Sequence, residues 1–371
     1  MHSFSISYRI KTATGEDIDQ KIEAICLEQS VELPRSALSK EIEANVTGQV
    51  TGKRETADGI YEVTISWPHE NVAGDISQFL NMLYGNISLQ RGIRIVNAEW
   101  ADLSGDLFGG PAFGIHKLRT RFSIGNRALS GTALKPLGSS AETLGSLCYE
   151  FACGGIDIIK DDHGLTNQPY APFDERVKAC VNGIQRAADE TGRRSYYFPN
   201  ITAEAENAVR RYRQAAELGA DGVLICPHIT GLETMHQLAC MDIPLPLIAH
   251  PSFSGSLTTD EDRGFTPGFL YGQLWRALGA DFSVFPNTGG RFSFTLDECK
   301  TILTGVRNSD VPFATAFPVP AGGMSLDTIP KWLETYGTDT MFLLGGSLYN
   351  HPGGVREAAQ ELSAMLKQKN E

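Results

Sequence analysis

The sequence lacks the features of a secreted, membrane or nucleic-acid-binding protein. Its seven cysteines show no C-x-x-C or other metal-ligand spacing, which favours reduced, mostly buried thiols. No basic block occurs and the formal net charge is −12, so neither nucleic acid nor an anionic membrane is an expected partner. No apolar run approaches the length of a membrane span, and residues 1–4 lead directly into an alternating strand, so no signal peptide is expected. The protein is predicted to be soluble and cytoplasmic.

The first 110 residues are predicted to form an α+β domain of the ferredoxin-like type. Their order of elements is strand, helix, strand, strand, helix, strand, which is typical of an open sheet covered by helices on one face. The predicted strands are 4–10, 42–50, 60–67 and 93–96, and the predicted helices are 17–28 and 75–83. Residues 51–59 are predicted to be a turn, and residues 111–128 are expected to link this domain to the next.

From residue 129 onward, short apolar strands alternate with amphipathic helices. The predicted strands are 129–133, 156–159, 195–198, 222–226, 245–249, 282–285, 313–317 and 340–344. Eight strand–helix units in series predict a closed (β/α)8 TIM barrel over 129–352, followed by a C-terminal helix over 353–371. An open doubly wound sheet is disfavoured, because no G-x-G-x-x-G turn follows the first of these strands.

Chemically useful residues follow all eight predicted strands. Active sites of such barrels lie where the strands end. Each residue alone has a more common structural explanation, such as a hydrogen-bonded loop histidine or a tight glycine turn. Eight at one rim favour an active site. They are Lys135; Lys160, Asp162 and His163; Asn200; His228; His250; Asn287 and Arg291; Ala321, Gly322 and Gly323; and Gly345 and Gly346.

The stretch 154–164 is the most informative of these rim segments. Its apolar run ends in Lys160, Asp161, Asp162 and His163. Four ionisable groups so close together would repel or desolvate one another unless something organised them, most simply a divalent cation. The alternative is a solvated, inert turn at the end of a strand.

Glycine pairs after the last two strands predict a phosphate site. Barrels that bind phosphate often hold it at these two loops, where glycine lets backbone N–H groups approach the oxygens. Ala321, Gly322 and Gly323 occupy the first loop, and Gly345 and Gly346 the second. Arg291 is the candidate cation for a second anionic group, because its planar fork suits such a ligand; the alternative is a surface arginine.

These motifs together resemble a known family. Residues 154–162 are similar to the G-G-x-D-x-x-K-D-D signature of the ribulose-bisphosphate carboxylase (RuBisCO) large subunit. The segment around Lys135, the histidine His250 and the two glycine pairs resemble other parts of the same site. The resemblance extends over nearly the whole chain and is stronger to the RuBisCO-like (form IV) proteins, which do not fix carbon dioxide.

The resemblance implies a role for each candidate residue. Lys160 would be carbamylated by CO2 and, with Asp162 and His163, would hold Mg²⁺. Lys135 would be the acid/base, and His250 and His228 would move or donate protons. Glu28 and Asn86 resemble residues that complete the site of a neighbouring subunit, which implies a homodimer or a higher assembly of dimers. The ligand would be a small phosphorylated sugar.

Four departures from the carboxylases shape the functional prediction. His163 stands where they have a glutamate, Lys135 is single where they have two lysines, Pro251 replaces a phosphate-binding arginine, and Arg291 replaces a loop lysine. The expected activity is therefore Mg²⁺-dependent isomerisation of 5-methylthioribulose 1-phosphate, in methionine salvage, through an enediolate. Alternatives are a 2,3-diketo-5-methylthiopentyl-1-phosphate enolase, an oxo-isoapionate-phosphate decarboxylase or transcarboxylase, and a non-catalytic sugar-phosphate sensor.

Overall fold

The described residues form two β-sheets, one of five strands and one of eight. The computed structural model describes residues 2–103, 105, 107–243 and 245–367. The strands are β1 (Ser3–Lys11), β2 (Gln49–Ala57), β3 (Ile60–Pro68), β4 (Ile93–Ala98), β5 (Leu129–Leu134), β6 (Ile158–Asp161), β7 (Tyr196–Phe198), β8 (Val223–Ile225), β9 (Leu247–Ala249), β10 (Gly264–Phe265), β11 (Phe282–Pro286), β12 (Phe317–Ala321) and β13 (Met341–Leu344).

Helices cover both sheets. They are α1 (Ile18–Glu28), α2 (Lys40–Val46), α3 (Ile76–Tyr84), α4 (Gly114–Arg121), α5 (Ala141–Gly154), α6 (Phe173–Thr191), α7 (Ala205–Glu217), α8 (Pro227–Thr230), α9 (Leu232–Ala239), α10 (Gly255–Thr258), α11 (Trp275–Ala277), α12 (Leu296–Arg307), α13 (Ile329–Tyr336), α14 (Gly346–Tyr349) and α15 (Gly354–Lys367), with a π-helix over Gly268–Leu274. Across the described residues, none of these helices is long and apolar enough to cross a membrane.

The five-stranded sheet confirms the ferredoxin-like prediction. Its order is β10-β4-β1-β3-β2, with β1 antiparallel to both β3 and β4. The predicted strand at 42–50 is wrong, because Ser39 caps a helix there by accepting a hydrogen bond from the Ile42 N–H. The predicted turn at 51–59 is also wrong, because it contains most of β2. This edge strand is exposed along nearly its whole length, so it carries charge instead of an apolar alternation.

The eight-stranded sheet closes into the predicted barrel. Its order is β7-β6-β5-β13-β12-β11-β9-β8, and an isolated parallel bridge from Asn200 to Leu224 joins the two ends. The seventh barrel strand was predicted at 313–317, which is wrong by about four residues, because it runs over Phe317–Ala321. This strand contains Pro318 and Pro320, although central strands normally exclude proline. They are tolerated because β12 pairs along its length with β11 but meets β13 only at Ala321.

One end of the barrel is closed by α4, which lies inside the stretch 111–128. Ile115 and Leu118 of this helix pack with interior side chains such as Leu129, Phe198 and Phe282. The Ile115 N–H donates to the Thr315 carbonyl, just before β12 begins. Because α4 covers the amino ends of the barrel strands, the carboxyl ends form the open mouth of the barrel. The candidate residues that follow the strands lie at this mouth. The C-terminal helix α15 ends at Lys367, and residues 368–371 of the predicted helix lie outside the described residues.

Candidate active site at the carboxyl ends of the barrel strands

Side chains along β6 and just after it alternate between the interior of the barrel and its outer layer. Ile158 packs inside the barrel and Ile159 in the outer layer, so Lys160 and Asp162 follow the inner face and Asp161 the outer one. Asp161 accepts from Arg176 Nε at 3.0 Å, from the Tyr197 hydroxyl at 2.8 Å and from the Asn200 N–H at 2.9 Å. Of the two neighbouring aspartates, Asp162 is therefore the one whose carboxylate lies at the open mouth of the barrel.

Five predicted residues converge at this mouth. The Lys135 Nζ lies 2.6 Å from Asp162 Oδ1, and the His163 Nδ1 lies 3.4 Å from the same oxygen. The rings of His163 and His250 stack with centroids 4.5 Å apart and planes 12° from parallel. Lys160 is 1% exposed and donates from Nζ to the Asp161 carbonyl at 3.1 Å. We call Lys135, Lys160, Asp162, His163 and His250 the lysine–aspartate cluster.

Burial and charge set the protonation of the cluster. Burial, aided by the charge of Lys135, lowers the pKa of Lys160 to about 8, although Asp162 acts in the opposite direction. At that pKa roughly a tenth of the amine is neutral at pH 7, against less than about 0.1% for an ordinary lysine. Burial alone would raise the pKa of Asp162, but hydrogen bonds from His163 and Lys135 and the charge of Lys160 hold it well below its usual range. Burial and Lys160 keep the pKa of His250 well below its usual range.

Two residues outside the cluster fix its backbone. The Asn200 side chain donates from Nδ2 to the His163 carbonyl at 2.8 Å. The Tyr349 hydroxyl accepts from the Lys135 N–H at 2.8 Å and donates to the Ala133 carbonyl at 3.0 Å. Tyr349 ends α14, which begins at Gly346, so this bond joins the end of β5 to the glycine pair after β13. Sequence reasoning missed Tyr349, because its partner lies more than 200 residues away.

The glycine loop after β12 is shaped by a backbone contact. Gly322 and Gly323 have φ of +81° and +68°, in the left-handed region that favours glycine. A Cβ on Gly323 would collide with the backbone of Gly290, so two loops lie directly against each other here. Ala321 is the last residue of β12 and not, as predicted, part of the loop that follows it. Their role in holding phosphate stays a prediction.

Arg291 lies in the exposed part of the neighbouring loop. Its guanidinium sits over the Phe292 ring, 5.2 Å from the centroid. Within the described part of the chain, no contact joins it to the lysine–aspartate cluster. Its predicted role as an anion ligand therefore stays untested.

Comparison with known proteins identifies the family to which the chain belongs. The ribulose bisphosphate carboxylase large chain catalytic domain model matches residues 114–370. The chain belongs to this family. It is 35% identical over 344 residues to the 5-methylthioribulose-1-phosphate isomerase of Rhodospirillum rubrum, covering 92% of this chain and 90% of the relative. It is 32% identical over 367 residues to the 2,3-diketo-5-methylthiopentyl-1-phosphate enolase of Bacillus pumilus, covering 96% and 90% of the two chains.

The solved structures give the same assignment. The Rubisco-like protein from Rhodopseudomonas palustris superposes with a TM-score of 0.90 at 32% identity, covering 100% of this chain and 99% of that one. This chain is thus a RuBisCO-like protein, as its motifs suggested. The relatives to which the chain is similar include one named as an isomerase and one named as an enolase.

The cluster of this RuBisCO-like protein can hold a divalent metal only if Lys160 changes its chemistry. Among residues 2–103, 105, 107–243 and 245–367, no group of three His, Cys, Asp or Glu side chains could hold a metal ion. Asp162 offers oxygen and His163 nitrogen, while a protonated Lys160 offers neither. A carbamate on Lys160 would add an anionic oxygen ligand of the kind Mg²⁺ prefers. The lowered pKa of Lys160 suits that reaction, because only a neutral amine attacks CO2. The residues present therefore fit a carbamate-bound Mg²⁺.

His228 lies apart from the cluster. The Trp275 indole donates from Nε1 to the His228 Nε2 at 3.3 Å. Within the described residues, no contact joins this ring to Lys135, Lys160 or Asp162. Its predicted role in moving protons is therefore not supported by any contact, and it stays a prediction.

The burial of His228 predicts a pH-dependent loss of stability. Burial lowers its pKa to about 4, below the ordinary 6.5, so the unfolded chain binds the extra proton. The stabilising contribution is complete above pH 6.5 and is lost as the pH falls toward 4. Between pH 7 and pH 4.5 the unfolding free energy should fall by about 2 kcal/mol more in the native protein than in His228→Gln. Urea unfolding of both proteins at the two pH values measures this difference; equal falls would contradict it.

The two residues predicted to serve a neighbouring subunit contact each other. Asn86 donates from Nδ2 to Glu28 Oε1 at 2.9 Å. Beside them, the buried Gln29 donates to the carbonyls of Asn81 and Met82 and fixes the end of α1 against α3. Glu28 and Asn86 thus form one polar patch on the ferredoxin-like domain, a feature that their 58-residue separation did not reveal.

Proposed function

We propose that this protein is a Mg²⁺-dependent isomerase that converts 5-methylthioribulose 1-phosphate through an enediolate in methionine salvage. The observation that carries the proposal is the lysine–aspartate cluster, in which a buried low-pKa lysine, an ionised aspartate and a second lysine meet at the barrel mouth. The relative named as this isomerase supports the choice of substrate.

Each residue of the cluster has a part in enolisation. When bound, Mg²⁺ supplies Lewis-acid polarisation of the substrate carbonyl. Asp162 keeps the Lys135 ammonium at 2.6 Å, which orients Nζ at the mouth. Lys135 is the acid/base: its neutral amine form takes the proton from the carbon next to the carbonyl, and the ammonium so formed returns a proton to the neighbouring carbon. His250 is neutral, so its ring can donate a hydrogen bond to a substrate oxygen without adding charge.

Exposed apolar side chains on the rim loops favour a substrate with an apolar end. Large apolar residues rarely stay exposed without a partner when they gather around one opening. A thioether needs no hydrogen bonds and suits such a surface. These residues, each in a segment that follows a barrel strand, are Leu137, Tyr170, Ile229, Phe253 and Phe292.

We propose further that two copies of the chain assemble, with residues 1–110 of one covering the barrel, residues 129–352, of the other. A second group of exposed apolar side chains lies on the ferredoxin-like domain and supports this arrangement. They are Leu33, Ile42, Val50 and Leu89. Glu28 and Asn86 lie on the same domain and would reach the partner's mouth. Sedimentation showing an active monomer would contradict the proposal.

Turnover in deuterated water tests the reaction. With Mg²⁺ and bicarbonate, we expect 5-methylthioribulose 1-phosphate to be isomerised, with solvent deuterium appearing at the reacting carbons. The same enzyme should act on 2,3-diketo-5-methylthiopentyl 1-phosphate at least about tenfold more slowly. The reverse preference would establish the enolase, which the Bacillus pumilus relative favours. Binding of either compound with neither turnover nor exchange would establish a sensor.

A further inference from the structure

The loop that follows β9 contains a strained residue for which packing offers no reason. Phe253 has φ of +71°, in a region that bulky residues avoid, and its side chain is 82% exposed. It gains no burial that could offset this conformation. Strain of this kind persists only where the surrounding structure imposes it, and it clusters at functional sites.

The surrounding turn is clamped on both sides of Phe253. The Ser254 N–H and hydroxyl both donate to the Pro251 carbonyl, at 3.2 and 2.6 Å. The Ser254 hydroxyl oxygen also lies 2.7 Å from the hydroxyl of Tyr271, a buried residue of the π-helix. The hydroxyl of Thr258 lies 3.1 Å from the same Tyr271 oxygen. These bonds fix the turn from Pro251 to Ser254. Because Phe253 lies inside this turn, its positive φ is imposed by the turn.

The fixed turn presents Ser252 to one edge of the His250 ring. The Ser252 N–H donates to His250 Nδ1 at 3.3 Å, and the Ser252 hydroxyl lies 3.0 Å from the same nitrogen. An amide N–H can only donate, so this long bond favours an Nδ1 that carries no proton, and the Ser252 hydroxyl adds a second, shorter bond to the same nitrogen. In the neutral ring the single proton is therefore on Nε2. The face of the same ring stacks on His163, within the lysine–aspartate cluster.

We propose that Ser252 is a positioning residue that fixes the tautomer of His250, so that Nε2–H is the hydrogen-bond donor presented to the substrate. The strain at Phe253 is the cost of holding Ser252 in that place. The catalytic consequence rests on the proposed function: a ring locked with Nε2–H can donate to a developing enediolate oxygen and cannot serve as a base from that nitrogen. The tautomer itself does not depend on the identity of the substrate.

Nuclear magnetic resonance of the full chain labelled with ¹⁵N-histidine tests the tautomer directly. The His250 signals are assigned by their absence in His250→Gln. We expect a protonated Nε2 and an unprotonated Nδ1 in the native protein. In Ser252→Ala, which loses one of the two donors, the Nδ1–H form should increase severalfold, and Ser252→Thr should restore the native pattern. A native ring protonated at Nδ1, or an unchanged pattern in Ser252→Ala, would overturn the proposal.

Kinetics separate positioning from a merely structural effect. In Ser252→Ala, kcat for 5-methylthioribulose 1-phosphate should fall about tenfold while KM stays within about twofold, as for other residues that orient a site histidine. Ser252→Thr should recover most of kcat, and Ser146→Ala, on the exposed face of α5, should match the native enzyme. A shifted tautomer with native kcat would overturn the catalytic role of Ser252. If the native protein turns over no substrate, the proposed function fails, while the resonance pattern still decides whether Ser252 sets the tautomer.

Discussion

Replacing Lys160 with methionine is expected to lower kcat by at least about a thousandfold, because it removes the buried, low-pKa amine that would become an anionic oxygen ligand beside Asp162. Methionine is similar in length to lysine and apolar. It should therefore fill the almost fully buried space at position 160 without leaving a buried charge. The measurement is initial-rate kinetics with 5-methylthioribulose 1-phosphate in saturating Mg²⁺ and bicarbonate.

A matched lysine controls for the change of residue type. Lys178 lies on the exposed face of α6, and Lys178→Met should keep native kcat. Circular dichroism and thermal unfolding of Lys160→Met should show an intact fold, so that a lost rate reflects lost chemistry. A well-folded Lys160→Met with more than about a tenth of native kcat would contradict the role given to this lysine.

Replacing Arg176 with methionine is expected to lower the free energy of unfolding by about 3–5 kcal/mol. Arg176 and Asp161 form an ion pair in which both side chains are 0% exposed. Removing the guanidinium leaves the carboxylate buried with the Tyr197 hydroxyl and the Asn200 N–H, which do not neutralise its charge. The Arg176 bonds to the carbonyls of Ala171 and Thr166 are lost as well. Urea unfolding followed by circular dichroism measures the change.

An exposed ion pair provides the comparison for Arg176. Arg54 and Glu62 pair across β2 and β3 with both side chains largely in solvent. Arg54→Met should cost no more than about 1 kcal/mol. Equal losses of unfolding free energy in the two variants would show that the buried Arg176–Asp161 pair stabilises the fold no more than an exposed pair does.

The barrel could be predicted because its strands are apolar and regularly spaced. The errors occur where local sequence and position in the sheet disagree. The exposed edge strand β2 has no buried face, so its residues show no apolar alternation. The strand β12 contains two prolines that normally exclude a central strand, and only its limited pairing with β13 makes room for them.

The sequence allowed us to predict which residues of the candidate site follow the barrel strands. It did not allow us to predict which side chains contact one another. The period of two along β6 could have assigned Asp161 to the outer face, since Ile158, Lys160 and Asp162 alternate with it. Nothing local indicates that Arg176 is its partner. Likewise Asp157, part of the same signature, accepts two hydrogen bonds from Arg127, of 2.7 and 2.6 Å. This ion pair lies at the amino end of β6, away from the candidate site. Such pairings depend on the closed barrel.

Titration of the protein with Mg²⁺ in a calorimeter, in bicarbonate buffer and in buffer depleted of CO2, tests the central claim most directly. That claim is that Lys160 and Asp162 form a metal site completed by a lysine carbamate. It predicts measurable Mg²⁺ binding with bicarbonate, at least about tenfold weaker binding without it, and no bicarbonate effect in Lys160→Met. Mg²⁺ binding of equal strength in both buffers, or native binding by Lys160→Met, would contradict it.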